Sequence, residues 1–207
     1  MVKSILSEAE AREVEAAVAR VERQSAAEVV VAVLPQSGDY WQGRVLLALC
    51  WGLGGSFAFL HYEPWREPAL GLLVGLVVGV VVFWLSRIPA LQRRLVSPAV
   101  AEQAVNARAF QLFAERGLQG TREHTALLIF VSELEHRVVV LGDRTLDSRI
   151  GQKGWDDYVA LLVQQIRAGQ AKAGLLTVLE RLAPVLAELA PRRDDDTNEL
   201  PDAVVRS

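Results

Sequence analysis

The sequence predicts an α/β fold: a small sheet flanked by helices, with a two-helix transmembrane hairpin inserted after the first strand. Three observations point there. Short β-branched runs alternate with stretches of helical periodicity, in the order helix, strand, helix, strand, strand, helix, helix. Two uncharged apolar segments, Val45–Tyr62 and Ala69–Ser86, stand next to each other after the first strand. They carry the excess in an apolar fraction of 51% over 207 residues, so the remainder is an ordinary charged domain of roughly 150 residues, enough for one core.

Ser7–Gln24 opens the chain as a helix. Ser7 can cap it, Glu10 stands three residues on as in a capping box, and Val14, Val18 and Val21 keep helical spacing. "EVVVAVLP" (Glu28–Pro35) reads as a buried strand, ended by a proline that has no amide to donate.

Each apolar segment is near the short end of what crosses a bilayer as a helix, about 17 residues. The connector "EPWREP" (Glu63–Pro68) has prolines to end both helices and a tryptophan suited to the headgroup interface. Arg44 precedes the first span, and Arg87, Arg93 and Arg94 follow the second, whereas the connector sets one arginine against two glutamates. The positive-inside rule then predicts an integral membrane protein with both termini and the α/β domain cytoplasmic. Small residues recur four apart, Ala48, Gly52 and Ser56 in one span and Gly71, Gly75 and Gly79 in the other. Such ridges serve either packing within the hairpin or a homo-oligomer formed through the Gly71, Gly75 and Gly79 face.

Pro98–Gly117 reads as the next helix, Thr125–Ser132 and His136–Leu141 as two strands of an antiparallel hairpin. Trp155–Arg167 and Lys172–Ala190 are amphipathic helices, the second bent at Pro184. The helix between the first two strands makes them a parallel crossover pair. Residues 1–43 and 97–191 thus form one domain split by the hairpin at 44–87, and residues 192–207 form a polar, loose tail.

A net charge of −3 and the absence of a basic stripe argue against nucleic acid. Cys50 is the sole cysteine, which excludes an intramolecular disulfide and a cysteine-based metal site. Met1–Gln24 has no apolar run of signal-peptide type. No P-loop, nucleophile elbow or HExxH is present, and uncharged spans argue against a transporter.

Strand directions predict that one sheet edge, turned away from the membrane, gathers Glu28, Thr121, Arg122, His124, Asp143 and Arg144. Two further helix passes bring Asp194, Asp195, Asp196 and Asn198 to the same side. Glu28, Asp143 and Asp194–Asp196 offer hard oxygen ligands for Ca²⁺ or Mg²⁺. Thr121, Arg122 and Arg144 could hold a phosphate, with Asp143 as the catalytic carboxylate. The plainer reading is that Asp143 is a polar stop, since strand ends are polar in nearly every α/β domain. Glu135 and Arg137, at the other edge, read as an ion pair at the hairpin tip.

"AAEVVVAVLP", "TALLIFVSELEHRVVVLGDR" and "DDDTNELPD" together resemble the TPM-domain family, also called TPM phosphatases, over Ser7–Pro35 and Pro98–Asp202. The resemblance implies a Rossmann-like α/β fold. It implies acid phosphatase activity as in some members, or Ca²⁺ binding and accessory-subunit roles as in others. Glu28, Asp143 and Arg144 match polar positions of the family pattern. The best-described members have a leading targeting segment and often a C-terminal anchor, whereas the anchor here is internal. The expectation is a membrane-anchored interaction or assembly and quality-control module for other membrane proteins, with a phosphatase as the alternative.

Overall fold

The computed structural model describes residues 5–63, 67–120, 125–192 and 204–205. In chain order the elements are α1 (Glu8–Glu22), β1 (Val29–Leu34), α2 (Trp41–Tyr62), α3 (Pro68–Leu85), α4 (Pro89–Leu95), α5 (Pro98–Glu115), β2 (Leu127–Ser132), β3 (Arg137–Gly142), α6 (Arg144–Arg167) and α7 (Ala171–Leu189). They divide into two compact units, Met1–Ser37 with Glu102–Ser207, and Gly38–Ala101.

In the first unit, α1 starts with the capping box its sequence announces. The Ser7 hydroxyl accepts from the Glu10 amide at 3.3 Å, and the Glu10 carboxylate accepts from the Ser7 amide at 2.9 Å. Two of the orphan amides at the helix start are thereby satisfied. The strands lie in the order β1-β2-β3, with β1 parallel to β2 and β2 antiparallel to β3. Val29, Leu127 and Gly142 are in register at one end, Leu34, Ser132 and Arg137 at the other.

Because side chains alternate along a strand, β1 and β2 feed two cores. Val31, Val33, Leu127 and Ile129 pack with Val14 and Val18 of α1, Leu162 of α6 and Leu175 and Leu179 of α7. Val30, Ala32, Leu128 and Phe130 pack with Val105, Ala109 and Leu112 of α5. Burial on both faces explains why these strands are continuous apolar runs rather than alternating ones. Each buried Leu or Val contributes about 1.5–3 kcal/mol.

The fold class needs correction. Helix makes up 69% of the described residues, and the sheet has three strands in a mixed arrangement. This is a mostly helical chain with a small mixed sheet, not a Rossmann-like α/β fold. The strands are six residues each, and the antiparallel β2–β3 hairpin follows a single parallel pairing. Among the described residues there is therefore no second βαβ half of the kind a doubly wound sheet requires.

The C-terminal tail also departs from expectation where it is described. Val205 makes a parallel bridge to Ala32, donating to the Val31 carbonyl at 3.0 Å and accepting from the Val33 amide at 2.9 Å. The Val204 amide donates to the Glu15 carboxylate at 3.0 Å. Val204 and Val205 thus cover the free edge of β1, which would otherwise present unpaired backbone groups.

In the second unit α2 and α3 form the expected hairpin, with α2 starting at Trp41, before the apolar run. A Cβ on Gly52 would lie 2.8 Å from the Gly75 carbonyl oxygen, and one on Gly75 only 2.6 Å from that of Gly52. Gly79 stands against the Ala48 carbonyl and Gly71 against the Leu60 side chain. The small-residue ridge therefore packs within the hairpin, with Gly71, Gly75 and Gly79 against α2. Both helices are long and apolar enough to cross a membrane, and only 6% and 11% of their apolar windows are buried. Leu53, Phe57, Leu72 and Leu76 are all exposed. The short helix α4, which carries Arg93 and Arg94, was not expected from the sequence.

Candidate functional site

The site grows from the three residues that end β3. Gly142 closes the strand, and the Asp143 amide makes one more rung by donating to the Ala126 carbonyl at 2.8 Å. Asp143 is extended (φ −72°, ψ 168°), and its carboxylate accepts from the Arg144 amide at 2.6 Å. Its carbonyl accepts from the Asp147 amide at 2.9 Å. Asp143 is the N-cap of α6. A carboxylate is favoured there because it satisfies an orphan amide and faces the positive end of the helix dipole.

Gly142 is required by what sits over it. A Cβ there would come within 2.8 Å of the Trp155 ring, 2.9 Å of the Asp147 carboxylate and 3.1 Å of the Leu146 Cβ. The Trp155 indole N–H donates to Asp147 Oδ1 at 2.8 Å. Gly151, at φ 70°, breaks α6 between these two residues. The left-handed conformation is one that glycine adopts without strain.

A pocket of about 710 Å³ opens beside this corner. Phe110, Phe113 and Gln119 line it along with Leu141, Asp143, Arg144, Asp147, Gln152 and Trp155. Two carboxylates, a guanidinium and two amides thus meet aromatic walls, and Phe110 is 60% exposed at the rim. Polar groups that converge beside aromatic walls in a concave pocket are a common feature of ligand sites.

Of the residues expected here, Asp143 and Arg144 line the pocket. Glu28 precedes β1 and is buried, with its carbonyl accepting from the Leu127 amide at 2.8 Å. It stands at the same sheet end as Asp143, but β2 lies between, so the two backbones are about 10 Å apart by strand spacing. Thr121, Arg122, His124, Asp194, Asp195, Asp196 and Asn198 lie outside the described residues. Among the described residues no three His, Cys, Asp or Glu side chains group as a metal site. Asp147 and Trp155 were missed as site residues. Asp143 followed four residues later by another aspartate is an N-terminal helix signature, and it was the available signal.

At the opposite sheet end, the Glu135 carboxylate accepts from the Ser37 amide at 3.0 Å and from the Ser132 hydroxyl. The Ser37 hydroxyl donates to that of Ser132 at 2.7 Å. Arg137 pairs with Glu102 at 3.3 Å. Glu135 therefore ties the hairpin to the exit of β1, a structural role.

No family model matches the chain, and no curated protein matches it. A solved structure does: the NMR structure of the BA42 protein from the psychrophilic bacterium Bizionia argentinensis sp. nov.. It is similar over 100% of this chain and 99% of that one, with a TM-score of 0.62 and 16% identity. At that identity the likeness concerns the fold alone.

Proposed function

We propose that the protein is an integral membrane protein of TPM-domain type, anchored by the α2–α3 hairpin, and that it serves as an interaction or assembly module for other membrane proteins. The observation that carries this reading is the exposure of α2 and α3, whose apolar windows are only 6% and 11% buried. A core helix of a soluble domain would bury one face. The placement of Arg44, Arg87, Arg93 and Arg94 at one end of the hairpin supports an orientation with both termini and the first unit in the cytoplasm.

The pocket at Asp143 supports recognition more than catalysis, because both of its carboxylates already hold the fold together. Asp143 caps α6 and Asp147 takes the Trp155 indole. The described residues alone do not fit Ca²⁺ or Mg²⁺, which take six or more oxygens. An ion there would need further carboxylates, and Asp194–Asp196 are those the chain offers.

Membrane fractionation and C-terminal reporter fusions test the reading. The protein should resist alkaline extraction, and a cytoplasm-active reporter should work. Release into the soluble fraction would overturn the anchor, and an active periplasm-dependent reporter would overturn the orientation.

A further inference from the structure

We propose that the second unit binds an anionic phospholipid, with the lipid phosphate on Arg44 and an acyl chain running along α2. This rests on the membrane reading above. A groove of about 580 Å³ opens between the first turns of α2 and the α4 segment. Tyr40, Arg44 and Gln92 give it a polar mouth, and Leu46, Leu47 and Cys50 line it further along α2. Cys50 lies six residues beyond Arg44, about 9 Å along the helix axis. A phosphate at the mouth would thus have apolar wall below it at the depth of the first acyl methylenes.

Arg44 is the one arginine that lines the groove, and no carboxylate pairs with it among the described residues. The Arg44 guanidinium stacks 4.7 Å from the centre of the Phe83 ring, and Arg87 approaches the same ring at 6.0 Å and the Trp84 ring at 4.7 Å. Two cations on one ring repel each other unless a negative group stands nearby. The Arg44 Nε is buried and donates to no group. Among the described residues no carboxylate pairs with Arg44, Arg87, Arg93 or Arg94. Asp39 also lines the groove, but its carboxylate accepts from the Trp41 amide at 3.3 Å, at the start of α2. A planar guanidinium held by an aromatic face presents its N–H fork to phosphate oxygens in a bidentate geometry. Arg93 and Arg94, exposed on α4, add attraction for an anionic surface without forming part of the groove.

The test uses the full chain, reconstituted into phosphatidylcholine vesicles with and without phosphatidylglycerol. Lipid retained after detergent extraction is then read by native mass spectrometry. Wild type should retain phosphatidylglycerol over phosphatidylcholine of matched chains by about tenfold, a difference of 1.4 kcal/mol. Arg44→Gln should lose that preference, and Arg44→Lys should keep part of it. The double variant Arg93→Gln with Arg94→Gln should keep it nearly whole. Equal retention of the two lipids by wild type overturns the proposal, as does full selectivity in an Arg44→Gln protein of unchanged helical content. Displacement by glycerol phosphate or inorganic phosphate at lipid-equivalent concentration would show a free-anion site and overturn the lipid assignment. Insertion into pure phosphatidylcholine that resists alkali, without lipid preference, sinks this inference and leaves the anchor standing. Failure to insert into either vesicle sinks both.

Discussion

The Trp155 indole donates to Asp147 at 2.8 Å, and its ring fills the space that a side chain at position 142 would need. The end of β3 is thus closed by a bulky residue 13 positions downstream, and only glycine at 142 leaves it room. Gly142→Ala should lower stability by about 1–3 kcal/mol, the usual cost of overpacking against a rigid ring. Trp155→Phe, which removes part of the ring, should recover some of that loss in the double variant. Thermal melts of the solubilised wild type, single variants and double variant close the cycle. Strict additivity would show that the two residues do not meet.

Asp143 invites a test that separates capping from chemistry. Asparagine caps helices about as well as aspartate, so Asp143→Asn should leave the melting temperature almost unchanged. Asp143→Ala should cost about 1 kcal/mol. If the pocket recognises a ligand and does no catalysis, any phosphate-ester hydrolysis by the pure protein will be equal in wild type and Asp143→Asn. Hydrolysis lost in the asparagine variant, with the fold intact, would restore the phosphatase reading.

The legible parts of this chain were those in which local chemistry decides the structure. Ser7 and Glu10 announce a capping box, Val29–Leu34 and Leu127–Ser132 are apolar throughout because both faces are covered, and the uncharged runs mark α2 and α3. The parallel and antiparallel pairings also followed from element order. What failed was scale. The family resemblance implies a Rossmann-like sheet, but strand count is set by tertiary pairing, and three short strands leave a mostly helical chain. The start of α6 is hidden by Gly151, which interrupts its periodicity, so Asp143 reads as a polar stop at the end of a strand rather than as a helix cap. The Trp155–Asp147 bond was hidden for the same reason, since without the helix the two had no common frame.

The capping box predicts a pH dependence. Hydrogen bonds from the Ser7 amide and hydroxyl, aided weakly by Lys172, hold the Glu10 carboxyl below its ordinary value. The folded pKa is depressed, so this contribution is complete above the unfolded value and fades as pH falls through the folded one. Ser7→Ala should move the Glu10 titration back up toward the ordinary range. Carbon-detected NMR of the Glu10 carboxyl reads the shift directly. An unmoved titration would mean that the Ser7 hydroxyl does not matter to the charge.

The glycine ridge distinguishes packing inside the hairpin from association between copies. At Gly75 a Cβ would stand 2.6 Å from the Gly52 carbonyl oxygen and 2.8 Å from the Ser56 Cβ. The first neighbour is backbone and cannot swing aside, so Gly75→Leu must push α2 and α3 apart. Close approach of small residues is a main source of helix association in lipid, where no hydrophobic drive holds apolar helices together. The variant should therefore melt at lower temperature in detergent and become more sensitive to protease at the hairpin connector. Its oligomeric state, measured by crosslinking in native membranes, should match that of wild type. Gly54 has open space around it and serves as the control, so Gly54→Leu should change neither property. A Gly75→Leu protein of wild-type stability with altered crosslinking would instead place the ridge between copies of the chain.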